Sequence, residues 1–144
     1  MTIKIFEDLT TTELYNIIHL REKVFVVEQE CYYLDADGHD LKAWHLMVNS
    51  DTKLVAYLRI LPPNTTYPSP SIGRVVIDKS FRNKNLGRKI MIEAIAFIKI
   101  NFSNYDIEIG AQIYLNSFYK SLGFKNVGEE YLEDGIPHIH MILE

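Results

Sequence analysis

The chain has 144 residues, of which 47% are apolar and 24% are charged, a composition typical of one soluble globular domain covering residues 1–144. Its net charge of −4 argues against nucleic acid as a partner, because such binding relies on excess basic charge. No apolar stretch reaches the roughly 18 residues of a membrane span, and residues 1–10 lack a leader-like apolar core. The single cysteine, Cys31, excludes an internal disulfide. We therefore expect a cytoplasmic protein with no membrane partner.

Hydrophobic periodicity predicts elements in the order β-α-β-β-β-α-β-α-β-β. The first helix begins at a threonine cap within residues 10–12 and continues at helical spacing to Phe25. The predicted strands are Ile3–Phe6, Trp44–Val48, Leu54–Leu61, Ser71–Asp78, Ile107–Gly110, Lys125–Tyr131 and Pro137–Leu143, and the later helices are Leu86–Phe102 and Ile113–Leu122. Gly123 is predicted to cap the last helix. This order indicates a mixed sheet with helices on its faces.

The segment RNKNLGRK, residues 82–89, joins a predicted strand to a predicted helix and is typical of an anion-binding loop. The N-terminus of the helix would present unpaired N–H groups to a phosphate. Gly87 allows the backbone to approach such a ligand, whereas Asn85 occupies a position where a second glycine is expected. Because asparagine tolerates the left-handed region, we predict either φ > 0 at Asn85 or an amide directed toward the phosphates.

The basic residues around this loop favour a compact anionic ligand. Five of the 15 basic residues fall within residues 79–89, on an otherwise acidic protein. The loop contains neither the Walker A pattern nor the glycine fingerprint of a dinucleotide-binding fold. On its own, it is equally compatible with a basic turn.

Two motifs resemble the GCN5-related N-acetyltransferase (GNAT) family. Arg82-x-x-Asn85-x-Gly87 is similar to the family's [Q/R]-x-x-G-x-[G/A] loop, and the segment 110–124, GAQIYLNSFYKSLGF, is similar to its second motif. The segments LREKVFVVEQECYYLDADGHD, LVAYLRILPP, GRVVI and EDGIPHIHM resemble the ElaA-type branch, so the likeness covers nearly the whole chain. Two positions depart from the pattern, namely Asn85 in place of glycine and Gln112 in place of asparagine.

The resemblance implies an α/β (α+β) GNAT fold, with a mixed, mostly antiparallel sheet of about six to seven strands, helices on both faces and a splayed cofactor cleft. It also implies acetyl-CoA as the cosubstrate. The residues implied to bind acetyl-CoA are Val75, Val76, Ile77, Arg82, Asn83, Lys84, Asn85, Leu86, Gly87, Arg88, Gln112, Asn116 and Tyr119. The backbone of the strand residues would pair with the pantetheine arm, and the loop amides would hold the pyrophosphate.

The resemblance further implies direct attack of an amine on the thioester, without a covalent enzyme intermediate. The backbone N–H of Val76 or Ile77 would stabilise the oxyanion. Tyr119 matches the family's usual general acid, which protonates the departing thiolate. Without the resemblance, Tyr119 would be read as a buried structural aromatic on an amphipathic helix.

The general base is open between several residues. Glu28 is the first candidate, because it ends the first helix and begins an acidic segment. His45 is the second, on the expectation that its side chain faces the cleft, and Glu22 and His138 are weaker candidates. Arg74 lies inside an apolar strand, so we expect either a structural ion pair with Glu28 or another acid of that segment, or a substrate contact.

No metal is expected. The acidic segment 35–40 superficially resembles a calcium loop, but its glycine falls too early and Leu46 occupies the position of the bidentate glutamate. His138 and His140 share a strand face, yet two ligands without a third rarely form a metal site.

Two functions remain at this stage: an N-acetyltransferase, or a non-catalytic acetyl-CoA-binding sensor or interaction module. The acceptor would be a small-molecule amine or a peptide amine. The sequence identifies neither the acceptor nor the oligomeric state, and sheet edges in such a fold leave room for a homodimer.

Overall fold

The computed structural model describes all 144 residues and contains seven strands and three α-helices. The strands are β1 (Thr2–Ile5), β2 (Trp44–Ser50), β3 (Lys53–Leu61), β4 (Ser71–Ile77), β5 (Ile107–Gln112), β6 (Lys125–Glu133) and β7 (Ile136–Leu143). The helices are α1 (Thr11–Arg21), α2 (Leu86–Asn101) and α3 (Asn116–Ser121). This order confirms the predicted succession of elements. None of the helices combines the length and the apolar character that a bilayer span requires.

The seven strands form one sheet in the order β1-β2-β3-β4-β5-β7-β6. All neighbouring pairs are antiparallel except β4 and β5, which are parallel. On one face, α1 packs through Ile17 and Leu20 against Tyr57 and Val76. On the other, α2 and α3 contribute to a larger core of 16 buried residues. The predicted mixed sheet with helices on both faces is confirmed.

The first helix changes its hydrogen-bond pattern before it ends. It begins with a capping box, in which Glu13 N–H donates to Thr10 Oγ1 and Thr10 N–H donates to Glu13 Oε1. After α1 the chain continues as a π-helical segment, Glu22–Glu28, closed by Gln29 N–H donating to the Val24 carbonyl. The predicted continuation through Phe25 is therefore helical, but with the wider π turn that is often found at functional sites.

The C-terminal elements follow the local turn signals. Gly123 adopts φ 103° after α3, as predicted for a helix cap, and its N–H donates to the Lys120 carbonyl. The hairpin of β6 and β7 turns at Asp134 and Gly135, both with positive φ, as a two-residue turn requires. The predicted helix over 113–122 is shorter, because residues Ile113–Leu115 form a 3₁₀ turn before α3 begins.

Candidate functional site

Strands β4 and β5 diverge and open a cleft through the sheet. Only Ser71 and Glu108 are paired between them, whereas β5 is paired with β7 along its whole length. The resulting cleft has a volume of about 1340 Å³ and reaches both faces of the sheet. This size is suited to a ligand larger than a simple metabolite. The predicted splayed cleft is thus present, on the predicted strands.

A β-bulge deforms β4 where it borders the cleft. Val76 pairs with Tyr57 and Gly73 with Arg59, so two β4 residues, Arg74 and Val75, stand opposite one residue of β3. Arg74 takes up the distortion with φ 50°, a left-handed value that is uncommon for arginine. The bulge interrupts the β3–β4 ladder beside the cleft, at the residues predicted to meet the pantetheine arm.

The loop between β4 and α2 has the predicted left-handed geometry. Asn85 has φ 59° and ψ 17° at the N-cap of α2, and its side chain does not cap the helix. The N–H groups of the first helical turn therefore have no side-chain acceptor from the cap residue. Asn83 is also left-handed, with φ 63°. The conformational prediction for Asn85 is confirmed.

Gly87 does not adopt a positive φ, so its lack of a Cβ can matter only for the close approach of another group. It lies within α2, and a Cβ at this position would meet Ile77 and Phe118 at 3.8 Å, an ordinary contact distance. Packing within the protein does not require glycine here, so any need for it comes from a ligand approaching the helix.

Of the predicted cofactor-binding residues, two do not line the cleft. Lys84 lies over the Phe81 ring, and Asn116 donates to Asn126 Oδ1 at 2.7 Å.

Glu28 lies on the cleft wall beside the loop, where Arg82 holds it. Arg82 Nη1 donates to Glu28 Oε2 at 2.7 Å and Nη2 donates to Oε1 at 3.1 Å. These hydrogen bonds lower the pKa of Glu28, which makes its carboxylate a weaker proton acceptor. The arrangement disfavours Glu28 as the base and ties it to the loop between β4 and α2 instead.

Tyr119 lies deep in the cleft with only 6% of its surface exposed. Its ring makes edge contacts with Phe118 and Phe124, which fix its orientation. Burial raises the pKa of its hydroxyl, so the side chain is a neutral phenol at physiological pH. A neutral phenol at the base of the cleft can donate a proton.

The expectation that His45 faces the cleft is wrong. The ring is fully buried, with Nδ1 2.7 Å from the Tyr57 hydroxyl and Nε2 2.9 Å from the Asp40 carbonyl. Burial lowers the pKa of His45, and neither nitrogen is free for a substrate. Glu22 is exposed and also lies outside the cleft lining.

Arg74 pairs with acids of the loop after the π-helical segment, and not with Glu28. It belongs to a closed ring of six side chains in which each arginine contacts two aspartates at 2.6–3.3 Å. The members of this arginine–aspartate ring, in order of contact, are Arg21, Asp35, Arg74, Asp37, Arg59 and Asp40. The ring fastens the loop 35–40 to α1, β3 and β4. Sequence reasoning anticipated an ion pair for Arg74 but missed Arg21 and Arg59.

On the α1 face of the sheet, the vertex of the cleft carries two stacked aromatic pairs. Tyr67 stacks on His140 with ring centroids 4.9 Å apart, and Tyr131 stacks on His138 at 5.8 Å. A Cβ on Gly110 would lie 2.6 Å from the Tyr131 hydroxyl and 3.0 Å from the Tyr67 hydroxyl, so both hydroxyls converge there. We call this region, defined by Tyr67, Gly110, Tyr131, His138 and His140, the histidine end of the cleft.

No local sequence pattern predicts that the two tyrosines meet, because they come from a loop and an edge strand that are far apart in the chain. No group of three or more metal-ligating side chains occurs in the structure. His138 and His140 instead each face a carboxylate, Glu133 at 3.5 Å and Glu108 at 3.0 Å.

Comparisons with known proteins agree with this geometry. Residues 19–144 match the acetyltransferase (GNAT) domain family. The UPF0039 protein sll0451 of Synechocystis is 46% identical over 138 residues, covering 95% of this chain and 90% of the relative. The ElaA protein of Escherichia coli is 39% identical over 139 residues, covering 95% and 91%. A crystal structure of an acyl-CoA N-acyltransferase from Pseudomonas aeruginosa superposes with a TM-score of 0.93 at 41% identity, covering 99% of this chain and 98% of that one. The chain therefore belongs to the GNAT acetyltransferase family, in the branch that includes ElaA.

Proposed function

We propose that this protein is a cytoplasmic enzyme that transfers the acetyl group of acetyl-CoA to a primary amine. The observation that carries the proposal is the continuity of the cleft, which runs from the left-handed Asn85 loop, along the bulged strand β4, to the buried hydroxyl of Tyr119. The name of the P. aeruginosa relative, an acyl-CoA N-acyltransferase, supports the same chemistry.

The residues present suit the cosubstrate. The uncapped N–H groups at the start of α2 and the basic side chain of Arg88 match a pyrophosphate. The edge of β4 that faces β5 is unpaired beyond Ser71, so Val75 to Ile77 offer backbone groups there to an extended pantetheine arm. When bound, acetyl-CoA supplies an activated acetyl thioester. The N–H of Val76 or Ile77 would stabilise the oxyanion that forms on its carbonyl.

Tyr119 supplies the proton that the leaving group needs. As the amine nitrogen bonds to the carbonyl carbon, the carbon–sulfur bond breaks and the thiolate takes the phenolic proton. The raised pKa of Tyr119 keeps that proton on the oxygen until a stronger base forms beside it.

His138 is the side chain that we assign as the base, in place of Glu28. Its Nδ1–H donates to the Ile136 carbonyl at 2.7 Å, which leaves the Nε2 lone pair available to accept a proton. The ring lines the cleft, and Tyr131 stacks on it. Glu133, at 3.5 Å, would stabilise the imidazolium that results.

The rival function is binding of acetyl-CoA without turnover. We would measure free-thiol release from acetyl-CoA with a broad panel of primary amines, and acetyl-CoA affinity by calorimetry. Thiol release that depends on an amine is expected. Tight acetyl-CoA binding without turnover on any amine would instead support a sensor or interaction module.

Two variants test the assigned roles. Tyr119→Phe removes the acid, and His138→Asn removes the base while keeping a polar group; each should lower kcat by about 10²–10⁴-fold. An unchanged kcat in either variant would remove the residue from the mechanism.

A further inference from the structure

We propose that Arg74 is a positioning residue, because its ion pairs with the loop 35–40 hold the bulge of β4 in the shape that acetyl transfer needs. The role rests on the proposed acetyl transfer and adds to it a side chain that acts through the backbone, not by contact with the reacting atoms. It also joins the loop 35–40 and the bulged strand into one body.

The backbone of Arg74 is strained in a way that its residue type does not explain. Seven non-glycine residues have positive φ, and five of them are asparagine or aspartate, which tolerate this region. Arg74, with φ 50°, is the only one of the seven that lies inside a strand. Such a conformation persists only where the surrounding contacts enforce it, and outliers of this kind gather at functional sites.

The contacts that enforce this conformation come from two aspartates. Arg74 Nε lies 2.9 Å from Asp35 Oδ1, and Nη2 donates to the Asp35 carbonyl at 2.9 Å and to Asp37 Oδ2 at 3.3 Å. Arg74 belongs to β4, whereas both aspartates belong to the loop, and all three residues line the cleft. A displacement of the loop would therefore be transmitted to the bulge.

The bulge determines the direction of the next N–H groups of β4. Val75 has no partner on β3, and regular pairing resumes with Val76 opposite Tyr57. On its other edge, β4 is paired with β5 only at Ser71, so this stretch borders the open cleft. A change of φ at Arg74 would rotate the peptide groups that follow, and a misplacement of about 1 Å can lower a rate by about 10²-fold.

Two substitutions at Arg74 separate the effect of its backbone from that of its side chain. Arg74→Met and Arg74→Gly both remove the ion pairs, but only glycine adopts positive φ without a steric cost. Per folded molecule, measured by circular dichroism, Arg74→Met should lower kcat by about 10–100-fold and Arg74→Gly by about threefold at most. The acetyl-CoA Kd from calorimetry should stay the same in both, because the loop between β4 and α2 is unaltered.

Three results would overturn this role for Arg74. An unchanged kcat in Arg74→Met would show that the bulge keeps its shape without the ion pairs. Equal losses of kcat in Arg74→Met and Arg74→Gly would show that the backbone conformation is not what matters. Weaker acetyl-CoA binding at unchanged kcat would make Arg74 a cofactor-binding residue instead. If the unaltered protein released no thiol with any amine, the proposed function would fail and this role with it.

Two aspartates provide a matched control, which also serves if Arg74→Met does not fold. Asp35 and Asp40 both contact Arg21 and have 13% and 16% of their side-chain surface exposed, but only Asp35 contacts Arg74. Asp35→Asn should lower kcat by about threefold or more, whereas Asp40→Asn should lose comparable stability in urea and keep kcat. Equal kcat values for the two variants would contradict positioning through Arg74, as would an Asp35→Asn variant in which only the KM for the amine rises.

Discussion

Asn85 keeps the left-handed backbone that a glycine would adopt at this position, but it adds an amide side chain. Its left-handed conformation, φ 59°, is one that glycine adopts freely and alanine does not. Asn85→Gly should therefore keep the affinity for acetyl-CoA. Asn85→Ala should lose about 1–2 kcal/mol of conformational energy, and acetyl-CoA affinity with it. Calorimetric titration and urea unfolding measure the two effects separately.

Asn64 provides the control for this pair. It has φ 62° in the loop after β3 and does not line the cleft. Asn64→Ala should lose comparable stability without weakening acetyl-CoA binding. If Asn85→Ala binds acetyl-CoA as tightly as the unaltered protein, the left-handed loop is not what holds the phosphates.

At the scale of elements, the arginine–aspartate ring joins one loop to three elements. Arg21→Met would leave Asp35 and Asp40 each with one arginine, and breaking a buried pair costs about 3–5 kcal/mol. Arg82→Met breaks the more exposed pair with Glu28, for which about 0–1 kcal/mol is expected. Urea unfolding of both variants gives the comparison. A loss below about 1 kcal/mol for Arg21→Met would show that the ring contributes little.

At the scale of the whole molecule, the pH dependence of stability should reflect His45. Burial depresses its pKa, so below about pH 6.5 the unfolded chain binds a proton that the folded protein excludes. The free energy of unfolding should fall as the pH drops from 8 to about 5.5. Asp37 and Asp40, whose pKa values are lowered by the ring arginines against the effect of burial, would add a further loss only below about pH 4.

The measurement is urea unfolding at several pH values. His45→Gln should flatten the dependence between pH 8 and about 5.5, whereas His19→Gln, at an exposed position on α1, should not. If the two variants keep the same slope as the unaltered protein, His45 does not control stability in this range.

Local sequence signals predict the elements of this fold well, but they do not predict contacts between residues that are far apart in the chain. The helix cap at Thr10, the turn at Asp134 and the conformation of Asn85 each depend on a few neighbouring residues, so the sequence reveals them. The expectation for His45 failed because periodicity does not show that the segments around Phe6 and Asp40 fold over its ring. The tyrosines over Gly110 and the ring partners of Arg74 are brought together only by the sheet and its loops.

The closed form of the arginine–aspartate ring limits how this protein can change over generations. Every member touches two others of opposite sign, so one exchange deprives two charges, rather than one, of a partner. The ring can be lost in evolution only if arginines and aspartates are substituted together. Among relatives, these six positions should accordingly vary as a block, and a sequence lacking one arginine should also lack an aspartate beside it.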